Sequence, residues 1–438
     1  MPDILIVGGG LAGIAAAAEA AREGWTVTLV EGHPYLGGRA RSFMDRTTNE
    51  VIDNGQHAMM GCYHAMLGTL RILGTDHLIH RQPALKVAFA DAAGRTDMLD
   101  ASKAPGKFGV ALGIWRLKHL PLRSRIAALW FAARMQYGGI RTDGMTCLDL
   151  LRAEGQPYDV IHRLWEPIIL ATLNAPMDKA AASLLLTVLR RAFFGDAENS
   201  CLYLPSAGLS AFVEPLEDLL TAGGGRVLTS TSVEACTTSD GRIADALLTT
   251  GEVIVVDRIV FAVPARSLHR ITVDGNTFPL GSVPEPSPIV SVYLWYDQQW
   301  LEHDFVATLD TTIQWVFNRR LLTKADPNVV TSYPGHVAVT VSAGSELAGR
   351  SSEEIVTVCD QELRSLFPSA RNAVLLHGVV LKERMATFLA TPEVEPLRPS
   401  AALPWPNAAL AGDWTATGLP ATMEGACQSG VDAVRLLA

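Results

Sequence analysis

Residues 4–13 read Ile4-Leu5-Ile6-Val7-Gly8-Gly9-Gly10-Leu11-Ala12-Gly13, and the architecture follows from them. Ile4 to Val7 is a short apolar run of the kind buried in a parallel strand. An Ala-rich stretch, "IAAAAEAARE", then has helix composition, and Gly24 ends it. "WTVTLVE" is the next strand, with Glu31 at its end, 18 residues past Gly13. Strand, glycine turn, helix, strand and acid in that order form the context in which GxGxxG binds a dinucleotide. Gly8 permits the tight turn, Gly10 lets a pyrophosphate approach the backbone, and Gly13 lets helix and strand pack closely. The helix start at Leu11 and Ala12 offers free N–H groups to the phosphates. Glu31 is placed to accept hydrogen bonds from ribose hydroxyls. The expected fold class is α/β: a Rossmann-like dinucleotide-binding domain intergrown with a mixed-sheet plus helical substrate domain.

Downstream of Glu31, Gly37-Gly38-Arg39 gives a second flexible loop with a guanidinium that pairs with phosphate or lines a flavin. At the far end, "ALAGDWTATGLPATMEGACQSGVDAVRLL" reads as a strand ending near Leu410, then Gly412-Asp413, a loop of small residues, and a helix from Met423. Two glycine elements roughly 400 residues apart fit one extended cofactor held by both ends of the chain. The G-G-R-x-x-S and G-D…E-G-A-x-x-S-G elements resemble the amine oxidase and phytoene desaturase superfamily of flavoproteins. The resemblance implies FAD. It also implies that Asp413 binds a ribityl hydroxyl and that the turn Met423, Glu424 to Ala426 aims backbone N–H groups at the flavin pyrimidine. The Val233 backbone would contact adenine. A helix N-terminus there stabilises the negative charge of a reduced flavin.

The chain has 438 residues, 48% hydrophobic and 18% charged, with a formal net charge of -9. That length suggests more than one domain. The acidic balance gives no field for nucleic acid. Six scattered cysteines show no ligand spacing, so no metal site is expected, and their usage fits a reducing cytoplasm. No signal peptide and no apolar run of transmembrane length are read. The expected division is 1–57, 200–275 and 391–438 for the cofactor domain, and 58–199 and 276–390 for the substrate domain. Pro-rich 279–288 marks a crossing between them. Residues 108–139 combine dense apolar residues with Arg116, Lys118, His119, Arg123, Arg125 and Arg134 and no acid. That composition suits a helix lying on a membrane, on the cytoplasmic face, and equally a core helix pair with solvated arginines.

Within the superfamily, "DNGQHAMMGCYHAMLGTLRILGT" (53–75) and "LWEPIILATLNAPMDKAAASLLLTVLR" (164–190) are similar to the hydroxysqualene dehydroxylases of bacterial hopanoid pathways. The resemblance implies reductive removal of an allylic hydroxyl from a C30 isoprenoid, giving squalene, with an external reductant such as NAD(P)H. An oxidative isoprenoid desaturase and a non-catalytic prenyl-lipid binder remain open. Hydroxide is a poor leaving group and needs a proton. His57 is the candidate acid, as an imidazolium able to donate near neutral pH; the alternative role is a hydrogen bond to the flavin or backbone. Asp53 would orient the turn or pair with His57. Gly55 and Gln56 would face the flavin ring. Trp165, Tyr293, Trp295 and Trp315 are candidate linings of an apolar tunnel.

Overall fold

A computed structural model describes residues 3–281, 283–323 and 332–438; Ser282, inside the Pro-rich crossing, lies outside them. Strand β1 (Ile4–Val7) leads into helix α1 (Leu11–Arg22) and strand β2 (Val27–Val30). A hairpin of β3 (Ser42–Asp45) and β4 (Glu50–Asp53) follows, then helix α2 (His64–Leu73). Strands β5 (Lys86–Asp91) and β6 (Thr96–Asp100) precede helices α3 (Gly106–Arg116) and α4 (Leu122–Tyr137). After further short helices the chain returns through β7 (Arg226–Leu228) and β8 (Ile259–Phe261). It leaves again as β9 (Pro286–Tyr296), β10 (Phe305–Leu309), β11 (Trp315–Asn318) and β12 (Gly335–Ser342). Helix α5 (Ser352–Leu366), β13 (Leu375–Phe388), β14 (Ala408–Leu410) and helix α6 (Met423–Leu437) complete it.

One sheet has the order β7-β2-β1-β8-β14, every pairing parallel. Its β1 is fully buried, because helices cover both faces of such a sheet. Helix α1 buries an alanine face against α6. A side chain at Gly430 would lie 2.1 Å from the Ala12 carbonyl oxygen, so only glycine permits this approach of the two helices. The first and last helices of the chain therefore touch.

A seven-stranded sheet has the order β13-β9-β12-β11-β10-β5-β6 and is mixed, with β10 and β5 the parallel pair. Strand residues alternate between faces. Val290, Val292, Leu294 and Tyr296 pack with Ile355, Cys359, Leu363 and Leu366 of α5. Tyr293 and Trp295 on the other face pack with Ile52 of β4. Helix α5 starts at a capping box: Ser351 and Glu354 satisfy each other's backbone N–H groups. The sequence 108–139 forms α3 and α4, broken at Pro121. Val110, Ile114, Ala128, Phe131 and Met135 turn inward.

Candidate active site

The C-terminal edge of the parallel sheet opens onto a cavity of about 1550 Å³. Gly8, Gly10, Leu11 and Ala12 line it at one helix N-terminus, and Met423 and Ala426 at another. The first N–H groups of any helix have no partner inside the helix, so both termini present donors and partial positive charge to the same space. Gly10 caps α1 in extended backbone, and a side chain placed there would meet nothing within 4 Å. Gly13 behaves differently: its Cβ would lie 1.8 Å from the Gly8 carbonyl oxygen, so it serves helix–strand packing. Glu31 lines the cavity and accepts hydrogen bonds from the backbone of Gly9 at 2.6 Å and His33 at 2.7 Å. Its remaining lone pairs are available for hydroxyl donors. Val233, at the start of a small separate sheet, is buried and lines the same end.

Arg39 and Asp413 join the two glycine segments. Arg39 donates to Asp413 Oδ1 at 2.7 Å and to the Ala386 carbonyl at 2.6 Å. Asp413, beside it, raises the Arg39 pKa. Gly38, Gly412 and both charged residues line the cavity.

The turn after β4 lies against this edge. Asp53 is buried: its Oδ1 accepts from Ser42 Oγ at 2.7 Å and from the Leu209 N–H at 2.9 Å. Its carbonyl accepts from the Tyr293 hydroxyl at 3.0 Å. Gln56 Oε1 accepts from Nη1 of the buried Arg319 at 2.7 Å, and the same nitrogen lies 3.4 Å from Asp53 Oδ2. His57 Nδ1 is 2.6 Å from the Gly55 carbonyl oxygen. A carbonyl only accepts, so Nδ1 carries a proton and Nε2 is the free site. Burial lowers the His57 pKa, with the Asp53 charge and the Gly55 bond opposing it. The neutral imidazole is therefore the resting form.

Beyond the turn the cavity becomes apolar. Val87, Phe89, Ile289, Phe305, Trp315 and Phe317 from the mixed sheet make one wall. Trp165 lines the other, its indole N–H donating to Gln156 Oε1 at 2.9 Å.

A family model for flavin containing amine oxidoreductases matches residues 11–438. The chain belongs to that family. FAD is the family's cofactor, and this flavoprotein is an FAD-dependent oxidoreductase. Its residues fit FAD: an open approach at Gly10, two helix N-termini on one cavity, and an acid, Glu31, lining it beside the glycine turn. The hydroxysqualene dehydroxylase of Rhodopseudomonas palustris is 29% identical over 99% of this chain and 97% of its own length. That of Sinorhizobium fredii is 28% identical over 98% and 96%. A zeta-carotene desaturase of Zea mays is 24% identical over 98% and 82%. Among solved structures, an oxidoreductase from Methanosarcina mazei superposes with a TM-score of 0.73 at 16% identity, covering 99% of each chain. A putrescine oxidase superposes with a TM-score of 0.73 at 15% identity, covering 99% and 98%. These two show the fold.

Several sequence expectations are placed differently in the flavoprotein. Asp53 does not line the cavity; it positions the turn from behind. The Glu424 side chain also faces away, whereas the expectation for 423–426 concerns backbone N–H groups. That side chain is buried and accepts from the Ala65 and Met66 N–H groups at 3.1 and 2.9 Å, tying the start of α2 to α6. Tyr293 and Trp295 lie further along β9, past the cavity. The Trp295 indole donates to Glu50 Oε2 at 3.0 Å. Trp165 and Trp315 do line it. Asn174 explains the "LNAP" segment: it ends a helix in left-handed backbone at φ 47, a conformation asparagine tolerates. Its side chain bonds the Ser287 carbonyl, Thr387 Oγ1 and the Ala343 N–H, tying that helix to the mixed sheet.

Sequence reasoning passed over Arg319 and Arg398, both buried. Arg319 has its partners in distant segments, and Arg398, apart from the nearby Glu395, bonds backbone carbonyls of 413–419.

Proposed function

We propose that this flavoprotein reductively removes the hydroxyl of hydroxysqualene to give squalene. The carrying observation is the cavity, which runs without a break from the flavin-binding edge into a wall of apolar side chains, the surface a C30 hydrocarbon chain buries. The dehydroxylase relatives support the same reading. Overall, R–OH, a hydride and a proton become R–H and water. Bound FAD, in its reduced form, supplies the hydride; an external donor such as NAD(P)H recharges it. The chain's own residues exclude water from the ionised substrate and deliver the proton. Apolar walls and the Trp315 and Trp165 rings suit an allylic cation.

His57 Nε2 is the proton site of this proposal. Because burial lowers its pKa, the donating imidazolium is a minor form at neutral pH. Expected kcat/KM therefore rises as pH falls, with the limb below the ordinary histidine range. His57→Gln flattens that limb. An identical pH profile in the variant, with normal flavin content, removes His57 as donor.

Reduction with dithionite under anaerobic conditions, followed by hydroxysqualene, is expected to reoxidise the flavin and yield squalene by mass spectrometry. The desaturase relatives favour a second reading with electrons flowing the other way. Bleaching of oxidised enzyme by a more saturated isoprenoid, with reduced enzyme inert, would establish that reading instead.

The apolar substrate is drawn from a membrane through α3 and α4. Phe108, Trp115, Leu122, Ile126 and Trp130 are exposed there. Arg116 and Lys118 have no ion-pair partner among the described residues, whereas Arg123, Arg134 and His119 pair with Asp159, Glu154 and Asp97. Lys107 and Phe108 are exposed and also line the cavity, so it reaches the surface on this face. No helix among the described residues is long and apolar enough to cross a membrane. The protein should co-sediment with anionic vesicles, less so in high salt, and a Phe108→Glu, Trp130→Glu variant should stay in the supernatant.

A further inference from the structure

We propose that Thr340 and Trp315, with Ser291 behind them in the same cross-strand row, form the subsite for the substrate's hydroxyl group. The inference rests on the dehydroxylase reading above.

The strand register brings the three together. Ser291 of β9 stands opposite Thr340 of β12, and Thr340 stands opposite Trp315 of β11. Directly opposed residues share a sheet face with Cβ atoms about 5 Å apart, so the three side chains form a row. It lies on the face that carries Tyr293 and Trp295, the face turned toward the Asp53–His57 turn. The row starts beside that turn: a Cβ on Gly55 would lie 3.2 Å from Ser291 Oγ. Thr340 and Trp315 line the cavity.

Ser291 Oγ, Thr340 Oγ1 and Trp315 Nε1 are all buried, and none has a hydrogen-bond partner within the described protein. Buried donors and acceptors in folded proteins are almost always paired, because an unpaired one is costly. Two of the three, on Thr340 and Trp315, belong to residues that line the cavity, with Ser291 next in the row under the Gly55 turn, and together they mark a place where a ligand supplies partners. The surrounding wall is Ile289, Phe305 and Phe317, so the polar row is confined. Its chemistry matches an alcohol. An indole N–H only donates, while serine and threonine hydroxyls donate or accept. An alcohol oxygen accepts from the Trp315 N–H and exchanges a hydrogen bond with the Thr340 hydroxyl. Thr340, in the middle, shares the oxygen with Trp315 and stands opposite Ser291 on its other side. A hydrocarbon product leaves the row unpaired again, so the same residues that hold the substrate favour release of squalene.

The test is the affinity of oxidised, flavin-loaded protein for hydroxysqualene and for squalene, followed by perturbation of the flavin spectrum. Wild type should prefer the alcohol. Thr340→Val and Trp315→Phe should each narrow that preference by about tenfold, chiefly through weaker alcohol binding, with squalene affinity unchanged. In turnover the loss should appear in KM for hydroxysqualene. Trp315→Phe removes the N–H while keeping an aromatic ring, and serves if Thr340→Val loses flavin. Wild type that converts hydroxysqualene while both variants keep its preference overturns the subsite and leaves the dehydroxylase reading standing. Wild type that neither converts hydroxysqualene nor prefers it to squalene overturns both.

Discussion

Replacing Gly10 with glutamate is expected to give a folded protein without flavin. Gly10 caps α1 with φ -76 and ψ 175, extended backbone open to any residue. A Cβ there meets nothing within 4 Å, so the substitution disturbs no packing. The new carboxylate would occupy the mouth of the helix, where on this assignment the N–H groups of Leu11 and Ala12 would hold a pyrophosphate, and would repel it. FAD affinity should fall about 100-fold or more, a loss of about 2.7 kcal/mol, while circular dichroism matches that of flavin-stripped wild type. Gly13→Val is the contrasting variant. Its side chain would run into the Gly8 carbonyl and prevent α1 from packing on β1, so folding itself should fail. Gly10→Glu protein that purifies yellow with full flavin would remove the pyrophosphate assignment.

Arg398→Leu should be the most destabilising single change outside the glycine loop. The Arg398 side chain is fully buried and donates to the carbonyls of Leu419 at 2.7 Å, Asp413 at 3.0 Å and Thr415. It also pairs with Glu395 at 2.9 Å and lies over the Phe388 ring. Removing the guanidinium leaves a partly buried carboxylate and several carbonyls unpaired, a cost of about 3–5 kcal/mol. Those carbonyls belong to the loop that carries Gly412, Asp413 and Trp414 into the cavity. Tm should fall by about 3–5 °C, and flavin should dissociate faster. Arg398→Lys should recover little, because an ammonium cannot span carbonyls set in a fork. A Tm unchanged to within about 1 °C would show the loop to be held by other contacts.

The parts of this molecule legible from sequence are those whose meaning is local. Gly8, Gly10 and Gly13 sit within six residues, with their strand and helix on either side, and the turn chemistry of each follows from spacing. Arg39 and Asp413 were legible one at a time, as members of two motifs; that they bond each other across 374 residues was not. Aromatic residues in β9 show a buried strand. They do not show how far along it the cavity ends, so Tyr293 and Trp295 read like Trp315 although, of the three, Trp315 alone lines the cavity. Glu424 reads as part of a motif whose backbone faces the flavin, and the motif does not show that its side chain holds the start of α2. Arg319 looks like any of the chain's arginines until the fold sets it under Gln56, 263 residues earlier. The row of Ser291, Thr340 and Trp315 exists only once strand register is known.

The contact of α1 with α6 sets an order of events during synthesis. A chain still on the ribosome, lacking residues past 422, has made its glycine loop and both large sheets but has no wall at Met423 and nothing packed on Ala12. Domains form from the N-terminus as the chain emerges. Tight flavin capture must therefore await emergence of residues 423–437, and a product that stops short of them is colourless and open to proteolysis along the exposed alanine face of α1.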